Sequence, residues 1–235
     1  MSNNVAVFDW DNTVIKGYAN DYLFSVLNES KILTEDLSIG RGTNHALYAS
    51  GNLTHDRMVE LNRLLLEKNF QCIKEKDVNE ALKKYREVRM QFIYRFMLDS
   101  IFPYLSSQDI KIIIITGALQ EVVNIYKDDI NIWKLIATEA YVNKGTYTGA
   151  FSDYIATSDG KEKIIRELIQ NDDLCVKFSF GDSISDIPLF KVANCAFVNN
   201  TKRFLEHSNI EYLNFDNAEA CSLIMNKMMN EMSCL

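Results

Sequence analysis

The hydrophobic pattern opens with a short apolar run that ends in acidic residues. Residues 5–8 read Val-Ala-Val-Phe and stop at Asp9. This run is too short for a helix, so we predict a buried strand that leads into an acidic loop. A second strand is predicted at residues 112–115, where four successive isoleucines end at Thr116. Such a run is typical of a central parallel strand that is covered on both faces.

The chain between these two strands has the periodicity of helices. Apolar residues recur at spacings of three and four in groups that begin near Tyr22, Met58 and Leu82, which is the pattern of amphipathic helices. We therefore predict a helical cap domain at residues 17–101. It would be inserted into a core domain made of residues 1–16 and 102–235.

Strands and helices alternate along the second half of the chain. This alternation predicts an α/β fold, a doubly wound parallel sheet with an inserted helical domain. Gly145 indicates a hairpin turn. The predicted strands lie near residues 135–137, 176–180 and 195–198, and the predicted helices near residues 119–127, 160–170, 188–192, 201–207 and from 218 onward.

Composition and charge exclude several classes of protein. Of the 235 residues, 47% are hydrophobic and only two are proline, which excludes a disordered chain. The formal charge of −7 leaves no basic surface for a polyanion, so we expect no nucleic acid partner. Residues 17–101 contain 12 basic and 12 acidic side chains, so the excess of acid belongs to the predicted core.

The length of the apolar runs and the spacing of the cysteines indicate where in the cell the protein is expected. No apolar run exceeds four residues, so we expect neither a signal peptide nor a spanning helix, no membrane partner and a cytoplasmic location. Five cysteines without a C-x-x-C pair indicate reduced thiols, as is usual in the cytoplasm.

Two aspartates follow the first predicted strand. Asp9 and Asp11 are two residues apart, so they project from an extended backbone in the same direction. Two carboxylates in one pocket repel each other unless a cation or a shared proton lies between them. The alternative interpretation is a turn rich in aspartate, which needs no ligand.

Two further strand ends carry polar residues, and the carboxyl ends of parallel strands meet at one edge of a sheet. Thr116 and Gly117 offer a hydroxyl and free N–H groups for an anion. After a later strand, Asp182 and Asp186 add two carboxylates, although this loop could equally cap a helix. Lys161, at the start of a predicted helix, could supply a positive charge or simply be solvated.

The order and spacing of these residues resemble the haloacid dehalogenase (HAD) superfamily of phosphohydrolases. Its four motifs match the D-x-D-x-T loop from Asp9 to Thr13, the strand-final Thr116, the lysine at Lys161 and the G-D-x-x-x-D loop that begins at Gly181. The segment GDSISDIPLF is similar to the phosphoserine-phosphatase-like branch. This resemblance implies a Rossmann-like HAD core with a helical cap of the C1 type.

The resemblance also implies a role for each matched residue. Asp9 is the expected nucleophile, which forms an aspartyl-phosphate, and Asp11 is the expected general acid and base. The expected cofactor is Mg²⁺, held by Asp9, the backbone carbonyl of Asp11 and Asp182, with Asp186 supporting these ligands from behind. The residues expected to bind the substrate phosphate are Thr116, Gly117 and Lys161.

The activity implied by the resemblance is that of a Mg²⁺-dependent phosphatase for a small cytosolic phosphate monoester. The expected partner is therefore a small phosphorylated metabolite. Asp11 favours phosphate esters, because an alkoxide leaving group needs an acid whereas a halide does not. Two alternatives remain: a phosphotransferase or phosphomutase of the same superfamily, and a non-enzymatic switch based on a phospho-aspartate. The sequence leaves the oligomeric state open.

The predicted cap matches the phosphoserine phosphatases less well. In that branch a cap glutamate meets the substrate ammonium, and a cap arginine meets the substrate carboxylate. Tyr18 stands at about the position of the glutamate, with Asp21 nearby, and Asn62 stands at that of the arginine, next to Arg63. With Arg57, these residues are our candidates for specificity, and phosphoserine is one candidate substrate. Other cap side chains suited to anions or rings are Arg41, Asn44, His45, Tyr48 and His55.

Overall fold

A six-stranded, wholly parallel sheet forms the centre of the described part of the chain. The computed structural model describes residues 3–33, 37–152, 155–200, 202–207 and 209–233. Its strands are β1 (Asn3–Phe8), β2 (Lys111–Leu119), β3 (Ile132–Thr138), β4 (Ala140–Asn143), β5 (Thr146–Phe151), β6 (Leu174–Gly181), β7 (Cys195–Asn199) and β8 (Ile210–Leu213). The order in the sheet is β3-β2-β1-β6-β7-β8, while β4 and β5 form a separate antiparallel hairpin. The predicted fold class is thereby confirmed.

Helices cover the sheet and fill the insertion after β1. Short 3₁₀ turns lie at Arg89–Gln91 and Ile184–Asp186, and a π-helical turn at Met97–Ile101 leads into the fifth α-helix. The α-helices are α1 (Ala19–Glu29), α2 (Leu37–Ala49), α3 (His55–Phe70), α4 (Glu75–Val88), α5 (Phe102–Ser107), α6 (Gln120–Asn124), α7 (Ser158–Asp172), α8 (Ile187–Val192) and α9 (Ala220–Ser233).

The four isoleucines of β2 show why the sheet is buried on both faces. Ile112 and Ile114 belong to one apolar cluster, whereas Ile113 and Ile115 belong to another on the opposite face. Successive side chains of a strand point to opposite faces, so a run without polar residues needs cover on each side. All four side chains are buried, as the sequence predicts.

The register of the sheet aligns the strand ends that carry the polar motifs. Phe8, the last residue of β1, pairs with Ile114 of β2 and with Phe180 of β6. The rings of Phe8 and Phe180 stack with centroids 4.4 Å apart. The residues that follow these strands therefore meet at one edge, where the chain order reverses across β1.

The helical insertion enters and leaves through two paired segments. Ile15 pairs antiparallel with Ile93, and Tyr94 N–H donates to the carbonyl of Val14 at 3.0 Å. Helices α1 to α4 lie between these segments. The π-helical turn that follows contacts α9. The division into a cap at residues 17–101 and a core of residues 1–16 and 102–235 stays a prediction.

The β4–β5 hairpin, whose turn was predicted at Gly145, packs against the helical insertion. Cys72 N–H donates to the carbonyl of Tyr147 at 3.0 Å, and Tyr147 N–H donates to that of Ile73 at 2.8 Å. Glu75 N–H donates to the carbonyl of Gly145 at 3.0 Å. A segment that follows β3 in the chain is therefore joined by its backbone to the link between α3 and α4.

The structure corrects two predicted elements. Residues 202–207 form an irregular loop and not the predicted helix, and residue 201 lies outside the described residues. The hydroxyl of Tyr212 donates to the carbonyl of Leu205 at 2.8 Å and accepts from its N–H at 3.0 Å, which takes the backbone groups that a helix would use. Tyr212 belongs to β8, a strand that the sequence did not predict. The helix predicted at 119–127 ends at Asn124.

Candidate active site

A cavity of about 480 Å³ opens at the carboxyl ends of β1, β2 and β6. Helices α2 and α3 supply side chains on its opposite side. The structure thus brings together the predicted strand-end residues, which come from widely separated parts of the chain. The strand-end residues that line the cavity are Asp9, Asp11, Thr116, Gly117 and Asp182, and Lys161 from the start of α7 joins them.

Lys161 lies buried at the floor of this cavity. It sits in the first turn of α7. Thr157 caps this helix at its N-terminus, where its hydroxyl accepts from Gly160 N–H at 3.1 Å. The Lys161 ammonium is 2.7 Å from Oδ1 of Asp9 and 2.5 Å from Oδ1 of Asp186. Burial lowers the pKa of Lys161, but the two carboxylates outweigh it and raise the pKa above its ordinary value. Lys161 is a fixed positive charge, not a solvated surface lysine.

Asp186 organises the loop that follows β6. Its Oδ2 accepts from Asp182 N–H at 3.1 Å, from Ser183 N–H at 3.0 Å and from the Ser183 hydroxyl at 3.1 Å. Its Oδ1 accepts from Lys161. Both oxygens are therefore engaged. A Cβ atom at Gly181 would lie 2.8 Å from the Asp186 side chain, so only glycine permits this approach.

The remaining carboxylates crowd together above Lys161. Burial raises the pKa of Asp9 to about 7, with Lys161 opposing and Asp186 adding to the increase. Burial also raises the pKa of Asp11 to about 6, and burial together with the charge of Asp9 raises that of Asp182 well above its ordinary value. These carboxylates resist ionising together, as two buried anions do without a cation.

The donor set fits a hard divalent cation. Carboxylate oxygens of Asp9, Asp182 and Asp186 all lie within 4.8 Å of one another. Because both oxygens of Asp186 already accept hydrogen bonds, Asp9 and Asp182 are the side chains open to a metal. Mg²⁺ takes oxygen ligands and keeps several waters, so two carboxylates and a backbone carbonyl suit it.

Thr116 and Gly117 line the cavity at the carboxyl end of β2. The Thr116 hydroxyl oxygen accepts from Ala118 N–H at 3.1 Å, which leaves its proton to be donated. A Cβ atom on Gly117 would lie 2.5 Å from that of Ala156, so glycine is needed for the loop before α7 to approach. The Thr116 hydroxyl and the backbone N–H groups of this turn could therefore donate hydrogen bonds to a bound anion.

The cap candidates separate into two groups. Tyr18, Asn62 and Arg63 line the cavity, whereas Asp21 and Arg57 do not. The Asp21 carboxylate accepts from Arg41 at 2.6 Å, and Arg57 pairs with Glu60 on the exposed face of α3. Arg63 donates to Glu67 at 2.7 Å and to the carbonyl of Ser152 at 2.9 Å.

A fourth strand end contributes residues that the sequence analysis missed. Asn199 ends β7 and donates to the carbonyl of Asn12 at 2.6 Å, and Asn200 donates to the carbonyl of Asp182 at 3.2 Å. The two asparagines thus tie the first and last acidic loops together. A signal was present, because they directly follow the apolar run of residues 195–198 in the same way as the other motifs.

This fold and this arrangement of strand-end aspartates and a buried lysine define a hydrolase of the haloacid dehalogenase type. The sequence matches the family of haloacid dehalogenase-like hydrolases over residues 6–191, and the chain belongs to this family. The family predicted from the four motifs is confirmed. Comparison with curated protein sequences gave no significant match.

Several solved structures share the fold. The chain is similar to a HAD family hydrolase from Salmonella enterica serovar Typhi (15% identity, TM-score 0.61), covering 84% of this chain but only 62% of that one. It is also similar to a probable phosphoserine phosphatase from Vibrio cholerae (12% identity, TM-score 0.65, covering 99% and 67%). A phosphoserine phosphatase from T. onnurineus (14% identity, TM-score 0.60) matches over 96% of each chain. The predicted likeness to that branch is confirmed in the fold.

The helices of the insertion and the core are short or carry charged residues. Across the described ranges, none has both the length and the apolar character needed to cross a membrane.

Proposed function

We propose that this chain is a Mg²⁺-dependent phosphatase that hydrolyses a small cytosolic phosphate monoester through an aspartyl-phosphate. The observation that carries the proposal is the buried Lys161 ammonium, which holds Asp9 at 2.7 Å on the floor of the cavity. Asp11 and Asp182 line the same cavity as Asp9. The fold shared with phosphoserine phosphatases supports the same activity.

The first step transfers the phosphoryl group to the protein. A carboxylate oxygen of Asp9 attacks phosphorus, the ester P–O bond breaks, and Asp11 gives its proton to the departing alkoxide. A pKa of about 6 for Asp11 keeps part of this group protonated near neutral pH, as a general acid requires. Lys161 fixes the orientation of Asp9 and faces the phosphoryl oxygens with Thr116 and Gly117.

The second step returns the protein to its initial state. Asp11, now ionised, takes a proton from a water molecule, and the resulting oxygen attacks phosphorus of the aspartyl-phosphate. The bond between phosphorus and Asp9 breaks and inorganic phosphate leaves. Asp11 regains its proton in this step, so the cycle consumes one water and no other reactant.

Asp9 and Asp182, with the backbone carbonyl of Asp11, would hold Mg²⁺. When bound, the ion supplies the positive charge that lets these carboxylates approach a phosphate dianion. Asp186 holds the Asp182 loop in place through its backbone contacts.

Substitution of the two catalytic aspartates tests the proposal. We expect purified Asp9→Asn to release no phosphate from p-nitrophenyl phosphate with Mg²⁺ present. Asp11→Asn should become phosphorylated but release phosphate far more slowly, because an aryl leaving group needs little acid whereas the attacking water needs a base. Asp109→Asn, which alters an exposed carboxylate, is the control. Turnover retained in Asp9→Asn would refute the mechanism.

The same experiment separates the two alternatives. A phosphotransferase or phosphomutase would yield a product phosphorylated on a different hydroxyl in place of free phosphate. A switch would give a long-lived phospho-aspartate in the unaltered protein. The helices α2 and α3 that line the cavity favour hydrolysis, because a switch gains little from a wall over its phosphoryl group.

A further inference from the structure

The side of the cavity formed by Tyr18 and by helices α2 and α3 is largely aromatic and apolar. Ring pairs line it: Tyr18 and His45 have centroids 4.7 Å apart, and Tyr48 and His55 meet edge-on at 5.6 Å. Phe151 and Phe204 complete the aromatic wall, and aliphatic side chains fill the spaces between the rings. The aliphatic residues are Met58, Val59, Leu66 and Ile155.

Among the described residues, no acidic side chain belongs to this wall. The acids that line the cavity are Asp9, Asp11 and Asp182, all on the floor. Asp21, the candidate receiver for a substrate ammonium, instead accepts from the buried Arg41 at 2.6 Å. A cationic leaving group therefore finds no counter-charge in this part of the cavity.

The aromatic faces are also poorly suited to a cation. The Arg41 guanidinium already lies over the ring of Tyr18 at 5.7 Å and over that of Phe24 at 5.3 Å. Burial, and next the charge of Arg41, lowers the pKa of His45, and burial lowers that of His55. A ring face that a guanidinium already occupies, beside neutral imidazoles, offers a second cation little attraction.

The arginines of this wall are held by contacts within the protein. Arg63 donates to Glu67 and to the carbonyls of Phe151 and Ser152, so its guanidinium fastens the hairpin to α3. Arg41 is paired with Asp21. Because each arginine has an acidic partner, its charge is balanced within the protein. The other basic side chain on this side of the cavity is the exposed Lys202.

The size of the cavity admits a ring as well as a phosphate. An apolar cavity of about 150 Å³ is enough for benzene, and this one measures about 480 Å³. The Tyr18 hydroxyl meets Nδ1 of His45 at 3.3 Å, and Asn44 donates to Oδ1 of Asn62 at 2.9 Å, which holds the ring pair and its neighbour in place. These contacts restrain the ring surface that a bound ring would meet.

We infer that the leaving group of the substrate is an uncharged alcohol that carries an aromatic or heteroaromatic ring, seated between the Tyr18–His45 and Tyr48–His55 pairs. This inference rests on the proposed phosphatase activity and makes phosphoserine a poor substrate. It assigns specificity to the ring surface of α2 and α3, whereas the phosphoserine pattern would assign it to charged side chains.

Two matched substrates test the inference. We expect kcat/KM for 2-phenylethyl phosphate to exceed that for 2-aminoethyl phosphate at least tenfold, because the two esters differ only by a phenyl ring in place of an ammonium. O-phosphoserine, phosphocholine and phosphoglycolate should resemble the aminoethyl ester. Higher kcat/KM for any of these charged esters would overturn the inference and leave the phosphatase proposal intact.

Binding of the matching phosphonates separates this inference from the proposed function. Calorimetry with Mg²⁺ should show tighter binding of the phenyl phosphonate than of the amino phosphonate, and this readout needs no turnover. Tighter phenyl binding without hydrolysis of any ester, p-nitrophenyl phosphate included, would support the ring site and refute the phosphatase. Equal binding would overturn the ring site.

Substitution of Tyr48 tests the residues. We expect Tyr48→Leu to raise KM for 2-phenylethyl phosphate about fivefold with little change in kcat, because it removes a stacking surface and keeps an apolar side chain. His55→Leu should act in the same direction and guards against misfolding of the first variant. Ile39→Ala, on the exposed side of α2, is the matched control. An unchanged KM in both ring variants would overturn the assignment.

Discussion

The backbone N–H of Ala19 donates a hydrogen bond of 2.8 Å to Oδ1 of Asp11. Ala19 is the first residue of α1, whereas Asp11 follows β1. The bond therefore ties the proposed general acid and base to the first helix of the insertion. It lowers the pKa of Asp11, against the larger effect of burial, which raises it. The position of this carboxylate depends on where α1 begins.

Ala19→Pro removes this hydrogen bond and preserves the helix. Proline is favoured at the first helical position, and Tyr18 already has the extended backbone (φ −107°, ψ 122°) that a residue before proline adopts. We expect kcat for p-nitrophenyl phosphate to fall about tenfold, the equivalent of one hydrogen bond to a charged group. Ala19→Gly keeps the N–H and serves as the control. An undiminished kcat in the proline variant, with its circular dichroism unchanged, would show that the bond is dispensable.

Lys161→Met should destabilise the protein as well as inactivate it. The ammonium is 2% exposed and is the shared partner of Asp9 and Asp186. Removing one member of a buried ion pair costs about 3–5 kcal/mol, because it leaves the opposite charge uncompensated. Urea unfolding measures this loss. The control is Lys163→Met, two residues along α7 on its exposed face, which should stay within about 0.5 kcal/mol. Equal stabilities for the two variants would contradict the assigned role of Lys161.

Mg²⁺ should stabilise the folded protein through Asp182. A ligand at 100 times its Kd adds about 2.7 kcal/mol to the free energy of unfolding. We expect Mg²⁺ to raise the unfolding midpoint of the unaltered protein and to have no effect on Asp182→Asn. Without metal, Asp182→Asn should be the more stable protein, because the substitution removes a partly buried carboxylate whose charge is unfavourable beside Asp9. Asp109→Asn should keep the full response to Mg²⁺. A full response in Asp182→Asn would place the cation elsewhere.

Glu121, which lies outside the proposed catalytic residues, should make the stability of the protein depend on pH. It lies in α6, and burial raises its pKa, with the contact from the Tyr147 hydroxyl at 3.4 Å opposing. The folded state then holds its proton at a pH where the unfolded state, with an ordinary pKa near 4.5, has released it. Glu121 therefore costs stability as pH rises above 4.5 and through its folded pKa.

Glu121→Gln removes that cost. We expect the variant to be more stable than the unaltered protein at pH 8, with the difference shrinking as the pH is lowered towards 4.5. Urea unfolding at four pH values measures this trend. Glu167→Gln, at an exposed site of α7, should show no such trend. A difference independent of pH would mean that Glu121 titrates normally in the folded state.

The fold and the catalytic floor could be predicted from sequence because their signals are local. The isoleucines of β2 and the acidic loops after β1 and β6 occupy a few consecutive residues each, and parallel strands bring their carboxyl ends to one edge. The contacts of the insertion were less accessible. Asp21 and Arg41 form an ion pair between α1 and α2, and no short pattern in the chain shows that one neutralises the other.

The missed elements share a physical cause. The loop at 202–207 has the composition of a helix, but the Tyr212 hydroxyl occupies the N–H and carbonyl of Leu205, and this partner lies in another element. The hairpin could be predicted from Gly145, because glycine favours tight turns. In the structure, Lys144 and Gly145 both have the positive φ that such a turn requires. Nothing in the local sequence showed that the hairpin docks on residues 72–75.

That docking leads to a prediction about Gly149. Gly149 in β5 has φ of +81°, and a Cβ atom there would lie 2.7 Å from the carbonyl oxygen of Glu67 in α3. Gly145 has φ of +74°, with nothing within 4 Å of the same position. Alanine at either site incurs the cost of the left-handed conformation, about 1–2 kcal/mol. Alanine at Gly149 must in addition push the hairpin away from α3.

We therefore expect Gly149→Ala to lower the free energy of unfolding by about 1–3 kcal/mol more than Gly145→Ala does, the usual cost of overpacking. Urea unfolding of the two variants measures the difference. Because Phe151, two residues along β5, lines the cavity, Gly149→Ala should also raise KM for a ring-bearing phosphate ester, and Gly145→Ala should not. Equal losses of stability with unchanged KM values would show that β5 does not press on α3, and that the hairpin contributes to the cavity without being held by the helix.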